Sequence, residues 1–345
     1  MIEQLTLTNF RNHESFRIRA DGGNVALSGA NGAGKTNVLE ALSLLSGGFG
    51  LRGAQSGDLA RFGTNEYAVA AKFSDGSELC VFWLGGGRRK AKVDGESVPL
   101  SELPKRVGIV WLTSAEDLLF CGPPSGRRAF FDNLVAGFDG RHTGRVARLS
   151  KLLSERAFAL RNGADENWLG GIEANIASAA SAVADARVRY VAELNHFFSD
   201  GVAGLSGMLE QKIMDGEKAG DFEDFYLKYL SENRFLIADK MSVDGAHRTD
   251  FSVMNRKLGL PAEKTSSGQQ KLLLNKLIIA NAKLLRAKNP SRPLLVLLDE
   301  ADSHLDGNAR DALFAGLADA GAQIWLSGTN AAAFAPVPNC KTIAM

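Results

Sequence analysis

Little in this chain supports metal-centre chemistry or covalent stapling. The three cysteines, Cys80, Cys121 and Cys340, stand far apart without a CxxC pair, and the five histidines are scattered. That spacing excludes a zinc ribbon or a disulfide framework and fits a reducing compartment. An excess of one charge is also missing: 40 Lys plus Arg face 39 Asp plus Glu, so any nucleic-acid surface must be a local patch. No apolar run approaches the roughly 18 residues of a membrane span, and no charged-then-apolar leader opens the sequence. The expectation is a cytoplasmic protein with no membrane partner. Its 345 residues are enough for one large domain or two ordinary ones.

Glycine, by contrast, is plentiful and placed. MIEQLTLTNFRNHESFRIRA alternates apolar and polar residues, the period of paired half-buried strands. A short apolar strand, Val25-Ala26-Leu27, then runs into Gly29-Ala30-Asn31-Gly32-Ala33-Gly34-Lys35-Thr36 and the helical stretch NVLEALSLLSG. This is GxxxxGK[ST] in the strand–loop–helix setting that it needs. The glycines let backbone N–H groups turn around phosphate oxygens, and the helix N-terminus adds partial positive charge. Lys35 is expected to reach the β and γ phosphates of ATP, and Thr36 to ligate Mg²⁺.

A phosphate loop of this kind needs an acid on a neighbouring strand. LLVLLDE at 294–300 is a near-continuous apolar run ending in two acids, as a parallel strand buried on both faces would be. Asp299 is expected in the Mg²⁺ shell and Glu300 beside the attacking water. Upstream, Ser266, Ser267 and Gly268 precede a long amphipathic helix and offer a second anion-facing N-terminus. Downstream stand Ser303-His304-Leu305-Asp306, and a last strand, QIWL, leads into Ser327-Gly328-Thr329.

In this order the P-loop, SSGQ, LLVLLDE and SHLD resemble the ATP-binding-cassette superfamily. The resemblance implies two heads sandwiching two ATP molecules, with Ser266 and Gly268 acting in trans on a nucleotide held by the partner, and Asp306 at the interface. It also implies that Thr329 stands where many such heads have a switch histidine. Between Thr36 and Ser266 lie 229 residues, against roughly one hundred expected of a transporter-type head by analogy. Within that insert, residues 67–99 read as a meander with turn signals DG, GGG and DG. Beyond it, Val146, Leu149, Leu152, Leu153 and Phe158 mark one helix. Residues from Leu169 to Phe197, at three- and four-residue steps, mark a second. The alanine-rich stripe fits a short antiparallel coiled-coil hairpin and a helical-bundle core equally well.

TLTNFRNHESF, GANGAGKTNVLEALSLL, VWLTSAEDLLFCGPPSGRRAFFDNLV, GAHRTDF and LLDEADSHLDGNARDALFAGLADAGAQIWLSGT together resemble the RecF family, relatives of the SMC heads that carry a short helical arm. The likeness spans almost the whole chain. It departs at Trp111-Leu112, where many members carry a glutamine, and at Thr265, Ser267 and Gln270 of the signature. The implied fold is an α/β ABC-type head, a mixed sheet with an antiparallel β subdomain, plus a helical lobe. Its expected segments are 1–137 and 238–345 for the head and 138–237 for the arm. The implied activity is slow, DNA-dependent ATP hydrolysis coupled to homodimerisation at single-strand gaps or ss/dsDNA junctions. RecR and RecO, and RecA indirectly, are the implied partners on the nucleoid. Arg11 and Asn12 match positions near the nucleotide in related heads.

Candidate contacts to DNA phosphates are Arg88, Arg89, Lys90 and Lys92 on a glycine-rich hairpin, and Arg127 and Arg128 after GPPSG. The hairpin reads equally as a solubilising patch. His247 is read as structural and His304 as an interface residue. Two other classes stay open. A transporter or SMC-like subunit would share the motifs, and a non-hydrolysing switch would keep Lys35 but lack an acid such as Glu300.

Overall fold

The computed structural model describes residues 1–216, 219–237, 243–302 and 307–345. Contacts divide the chain into two units, one of Met1–Leu118 with Ser266–Met345, the other of Leu119–Thr265. The first unit begins with β1 (Ile2–Phe10) and β2 (His13–Arg19), the alternating hairpin expected from the sequence, followed by β3 (Asn24–Ser28), α1 (Lys35–Leu44) and a one-turn helix, α2 (Ser56–Leu59). The meander follows as β4 (Tyr67–Phe73), β5 (Glu78–Trp83), β6 (Lys90–Val93) and β7 (Glu96–Val98), then a short α3 (Leu103–Arg106) and β8 (Gly108–Leu112). The meander extends the N-terminal hairpin into one antiparallel sheet of order β2-β1-β4-β5-β6-β7. Alternation decides which face is covered: Leu5, Leu7, Val69, Ala71 and Val81 are buried, while Lys90 and Lys92 alternate outward with buried Ala91 and Val93.

The second unit holds α4 (Pro124–Phe138), α5 (His142–Arg161), α6 (Glu166–Phe197), β9 (Gly201–Ser206), α7 (Met208–Met214), α8 (Ala219–Glu232), β10 (Asp250–Asn255) and β11 (Leu260–Pro261). The expected boundaries at 137/138 and 237/238 both fall inside it. Phe131 of α4 stacks on Phe251 of β10 at 4.5 Å and meets Tyr190 of α6 edge-on, which ties segments assigned to the head into the helical unit. Helices α5 and α6 are antiparallel neighbours, separated at NGADE, where Asp165 caps α6 by accepting from the N–H groups of Asn167 and Trp168. They do not stand as a free hairpin. Ile176, Ala180 and Val183 of α6 share a core with Phe222, Tyr226 and Leu230 of α8 and Leu209 of α7, so the bundle alternative holds. Phe158, expected on the buried stripe of α5, is 69% exposed, whereas Arg156, two residues earlier, is fully buried.

The chain returns to the first unit with α9 (Ser267–Lys288), β12 (Leu294–Leu298), α10 (Gly307–Asp319), β13 (Gln323–Gly328) and β14 (Cys340–Ala344). These strands form a second sheet, parallel throughout, of order β14-β3-β13-β12-β8. Parallel and antiparallel pairings thus occupy separate sheets. All five residues of β12 are buried, as an apolar run flanked on both edges by strands requires. One core joins Leu5 and Leu7 of β1, Val38 and Leu42 of α1, and Leu295 and Leu297 of β12. Fully burying each such leucine is worth about 1.5–3 kcal/mol, so α1 and the loop before it are anchored firmly. No described helix is long and apolar enough to cross a membrane.

Candidate nucleotide site

The loop at 29–34 leaves the C-terminal end of β3, where parallel sheets of this kind bind ligands. Helix α1 begins at Lys35 with Gly34 as its N-cap; no side chain caps it, and its first turn holds no acid. The positive end of the helix dipole and the loop N–H groups other than those of Gly29 and Ala33, which bond Gly328 O and Ala30 O, therefore meet a potential anion with no capping side chain in competition. Gly34 adopts φ 98°, and a Cβ there would lie 2.6 Å from the Asn12 side-chain nitrogen, so the position needs glycine on both counts. Lys35 is 7% exposed and its Nζ donates to the carbonyls of Gly29 and Ala30 at 2.7 and 2.8 Å. This bridges the loop and holds an ammonium at its centre.

Strands β12 and β13 bring the acids to the same place. Thr36 Oγ1 donates to Asp299 Oδ1 at 3.0 Å, and Ser327 Oγ donates to the same oxygen at 2.5 Å. Glu300 has φ 52°, and its N–H donates to Ser327 Oγ at 3.0 Å, so the chain turns sharply at the end of β12. Asn31, Gly32, Gly34, Lys35, Thr36 and Glu300 all line a cavity of 410 Å³. The hydroxyl–carboxylate pair offers hard oxygen donors, the set suited to a Mg²⁺ held by one or two protein ligands and substrate phosphates. Among the described residues no cluster of three or more His, Cys, Asp or Glu side chains forms an all-protein metal cage.

Four further residues of the cavity wall escaped the sequence reading: Asn37, Arg52, Asp302 and Ser327. Asp302 accepts from the N–H groups of Thr329 and Asn330, both at 2.7 Å, and from Thr329 Oγ1 at 3.0 Å. Burial opposes its ionisation, but the Asn330 N–H and the Thr329 contacts outweigh that and hold its pKa below the usual carboxylate value. Thr329, which also lines the cavity, is thus oriented by Asp302. The signal was present in LLDEAD, where a third acid follows three residues after Asp299.

Other expected positions differ. Arg11 does not line the cavity; its guanidinium binds Glu40 Oε2 and Oε1, both at 2.8 Å, and Asp58 O at 2.7 Å. Glu40 is 1% exposed, and a buried carboxylate requires such a partner, so Arg11 acts behind α1. Asn12 abuts Gly34 and accepts from Asn37 Nδ2 at 2.8 Å. Ala33 donates its N–H to Ala30 O at 3.2 Å within the loop. Ser266 is the N-cap of α9 in a capping box with Gln269, and a Cβ added at Gly268 would meet open space. His304 and Asp306 lie outside the described residues.

Of the basic candidates, Arg88, Lys90 and Lys92 are exposed, and Arg89 lies over the Phe49 ring at 5.9 Å. Arg127 is a correction. Its Nε and Nη2 bind the two Asp250 oxygens at 2.9 and 2.5 Å, and its Nη1 donates to Gly122 O at 2.6 Å. With its donors committed inside the second unit, it is a structural arginine. Arg128 is half-buried and lines a separate cavity in that unit.

A P-loop after β3 of a parallel sheet, an acid pair after β12, which is separated from β3 by β13 rather than adjoining it as the sequence suggested, and an antiparallel sheet sharing the core define an ATPase head of the ABC and SMC type. Residues 4–95 match the family described as AAA domain. The recombination mediator protein RecF with ATP, in the RecFOR pathway, superposes with a TM-score of 0.82 at 21% identity, covering 100% of this chain and 97% of that one. An SMC head bound to the C-terminal winged-helix domain of ScpA superposes at 0.54 and 16% identity, covering 100% and 94%. The DNA replication and repair protein RecF of Mesorhizobium japonicum is 37% identical over 353 residues, covering 96% of this chain and 92% of that protein. The chain belongs to the RecF family.

Proposed function

We propose that this RecF-family ATPase closes into a homodimer around ATP on DNA, at single-strand gaps or ss/dsDNA junctions, and reopens by slow hydrolysis. The observation that carries the reading is the 3.0 Å contact of Thr36 Oγ1 with Asp299 at a cavity that Glu300 also lines. It supports a divided labour. Lys35 and the loop N–H groups bind the β and γ phosphates, and Thr36 and Asp299 hold Mg²⁺. Glu300 orients the attacking water and accepts its proton. Bound Mg²⁺ would supply charge neutralisation at the phosphates. Ser266, with Gly268, acts from the partner head, where the capped start of α9 offers N–H groups to the γ-phosphate.

On the DNA side, Arg88, Arg89, Lys90 and Lys92 contact backbone phosphates from the β5–β6 hairpin, giving attraction that depends on salt but not on sequence. The role of the RecF relative, a recombination mediator in the RecFOR pathway, suggests that RecR and RecO join the complex and that RecA loading on the nucleoid is its outcome. The test is sedimentation of Glu300→Gln with and without Mg-ATP, repeated with a gapped duplex. A monomer that dimerises only with ATP, and at lower protein concentration on DNA, is expected. Normal turnover by Glu300→Gln would sink the assignment of the base, and a monomer under every condition would sink the sandwich.

A further inference from the structure

The helical unit contains a cavity of 530 Å³ that the ATP reaction does not use. Among the described residues four arginines, Arg128, Arg156, Arg161 and Arg187, line it, against a single carboxylate, Asp132. That carboxylate is already bound: Arg187 Nε and Nη2 meet its two oxygens, both at 2.9 Å, and His142 Nε2 contacts Oδ1 at 2.7 Å. Arg187 is otherwise committed to Glu210 and to the Ala246 carbonyl.

Arg156 is different. Its Nε binds Glu173 at 2.8 Å and its Nη2 donates to Leu230 O at 2.6 Å, which fixes the guanidinium plane. Its Nη1 has no hydrogen-bond partner among the described residues, although the side chain is 1% exposed. A buried donor left without an acceptor is costly, a cost removed where a ligand completes the bond. His247 Nδ1, on the same wall, is likewise buried and unpartnered. Burial, then Arg248 and Arg128, push that imidazole's pKa down, as a positively charged surrounding should.

The remaining wall is aliphatic, including Val146, Leu149, Leu153 and Val183. The volume falls in the range of small-molecule sites and exceeds what a bare oxyanion fills. The donors come from α4, where Arg128 also gives one N–H to the Arg248 carbonyl at 3.4 Å, and from two positions of α5, Arg156 through its unpaired Nη1 and Arg161. Three guanidinium groups on one cavity wall suit three acceptor oxygens carrying about two charges better than the two oxygens of a carboxylate.

We propose that this cavity is a second anion site, distinct from the P-loop, that takes a phosphomonoester on an organic body, its oxygens on Arg128, Arg156 and Arg161 and its body against the aliphatic wall. The same chemistry is offered by a free nucleoside monophosphate and by the phosphorylated end of a DNA strand.

Calorimetric titrations of the full chain with thymidine 5′-monophosphate, and with octathymidylate bearing or lacking a 5′-phosphate, test it. The proteins compared are the wild type, Lys35→Met, the rim double variant Arg128→Gln/Arg161→Gln and Arg156→Lys, each checked for native circular dichroism. The rim arginines are not part of the buried core, so the double variant remains informative if Arg156→Lys misfolds. Binding that survives in Lys35→Met and weakens about tenfold or more in the arginine variants is expected. Preference for the mononucleotide assigns a free ligand, and preference for the phosphorylated over the unphosphorylated oligonucleotide assigns a strand end. Three results overturn the proposal: binding lost in Lys35→Met but untouched in the arginine variants, equal binding of the two oligonucleotides without the mononucleotide, or no binding of any probe. ATP-driven dimerisation is read separately by sedimentation, so this site and the ATP sandwich fail independently.

Discussion

The two units bury charge for different ends. In the nucleotide unit Lys35 and Glu40 are nearly inaccessible; one bridges the phosphate loop and the other sits in the helix that the loop begins. In the helical unit Arg156, Arg187, Glu173 and Glu210 are all buried, held in ion pairs of 2.8–3.2 Å. The first arrangement comes from a contiguous motif, the second from residues scattered between positions 132 and 210. Buried ion pairs add little net stability over apolar packing, but removing one partner is expensive. The nucleotide unit should therefore lose function first when its charges are changed, and the helical unit should lose structure first.

The largest expected effect tests the structural half of that contrast. Arg187→Met strands Glu210 and leaves Asp132 with His142 alone, and should destabilise the protein by about 3–5 kcal/mol, measured as a lower denaturant midpoint. Lys35→Met should do the reverse. ATP turnover falls by a factor on the order of 10²–10³, the scale for loss of one preorganised electrostatic contact, while the unfolding midpoint stays near wild type. If Lys35→Met unfolded the chain and Arg187→Met left stability unchanged, the contrast would be wrong.

A smaller effect separates the two readings of Ser266. As a cap alone, Ser266→Ala costs about 1 kcal/mol of stability, and ATP turnover by the folded protein is unchanged. As a group acting across a dimer, it also lowers turnover per folded head, so an ATPase assay beside a melting curve decides. The smallest effect concerns acid. Asp302 has a pKa depressed in the folded state, so its stabilisation is present above its ordinary value near 3.8 and is lost as pH falls through the depressed one. Asp302→Asn should flatten the fall in melting temperature below about pH 4; an unchanged acid limb would remove Asp302 from that account.

Much of the nucleotide unit was legible in linear order. The alternation of the first nineteen residues, the P-loop between an apolar strand and a helix, and LLVLLDE each signal their structure within ten or twenty residues, because each depends on local periodicity or backbone conformation. Sequence reasoning failed where partners are distant. Arg127 looked like a free cation beside Arg128, yet Asp250, more than a hundred positions away, takes its guanidinium. Arg11 seemed to point toward the nucleotide, yet a glutamate on the following helix holds it. Phe158 matched the apolar stripe of α5, while Arg156 is the buried residue there, because Glu173 pairs its charge and the Leu230 carbonyl takes one further donor.

Local order was therefore enough to read the strands, the phosphate loop, the acid pair and the cap at Ser266, since each is signalled by nearby residues through hydrophobic period, backbone conformation or a cap bond closed within one turn. Tertiary structure alone decided where the units divide, which arginines are spent, and that four of them surround a cavity with one bound carboxylate. A charged side chain is stable in a protein interior only beside a partner that desolvates with it, and which residue becomes that partner depends on how the chain folds back on itself.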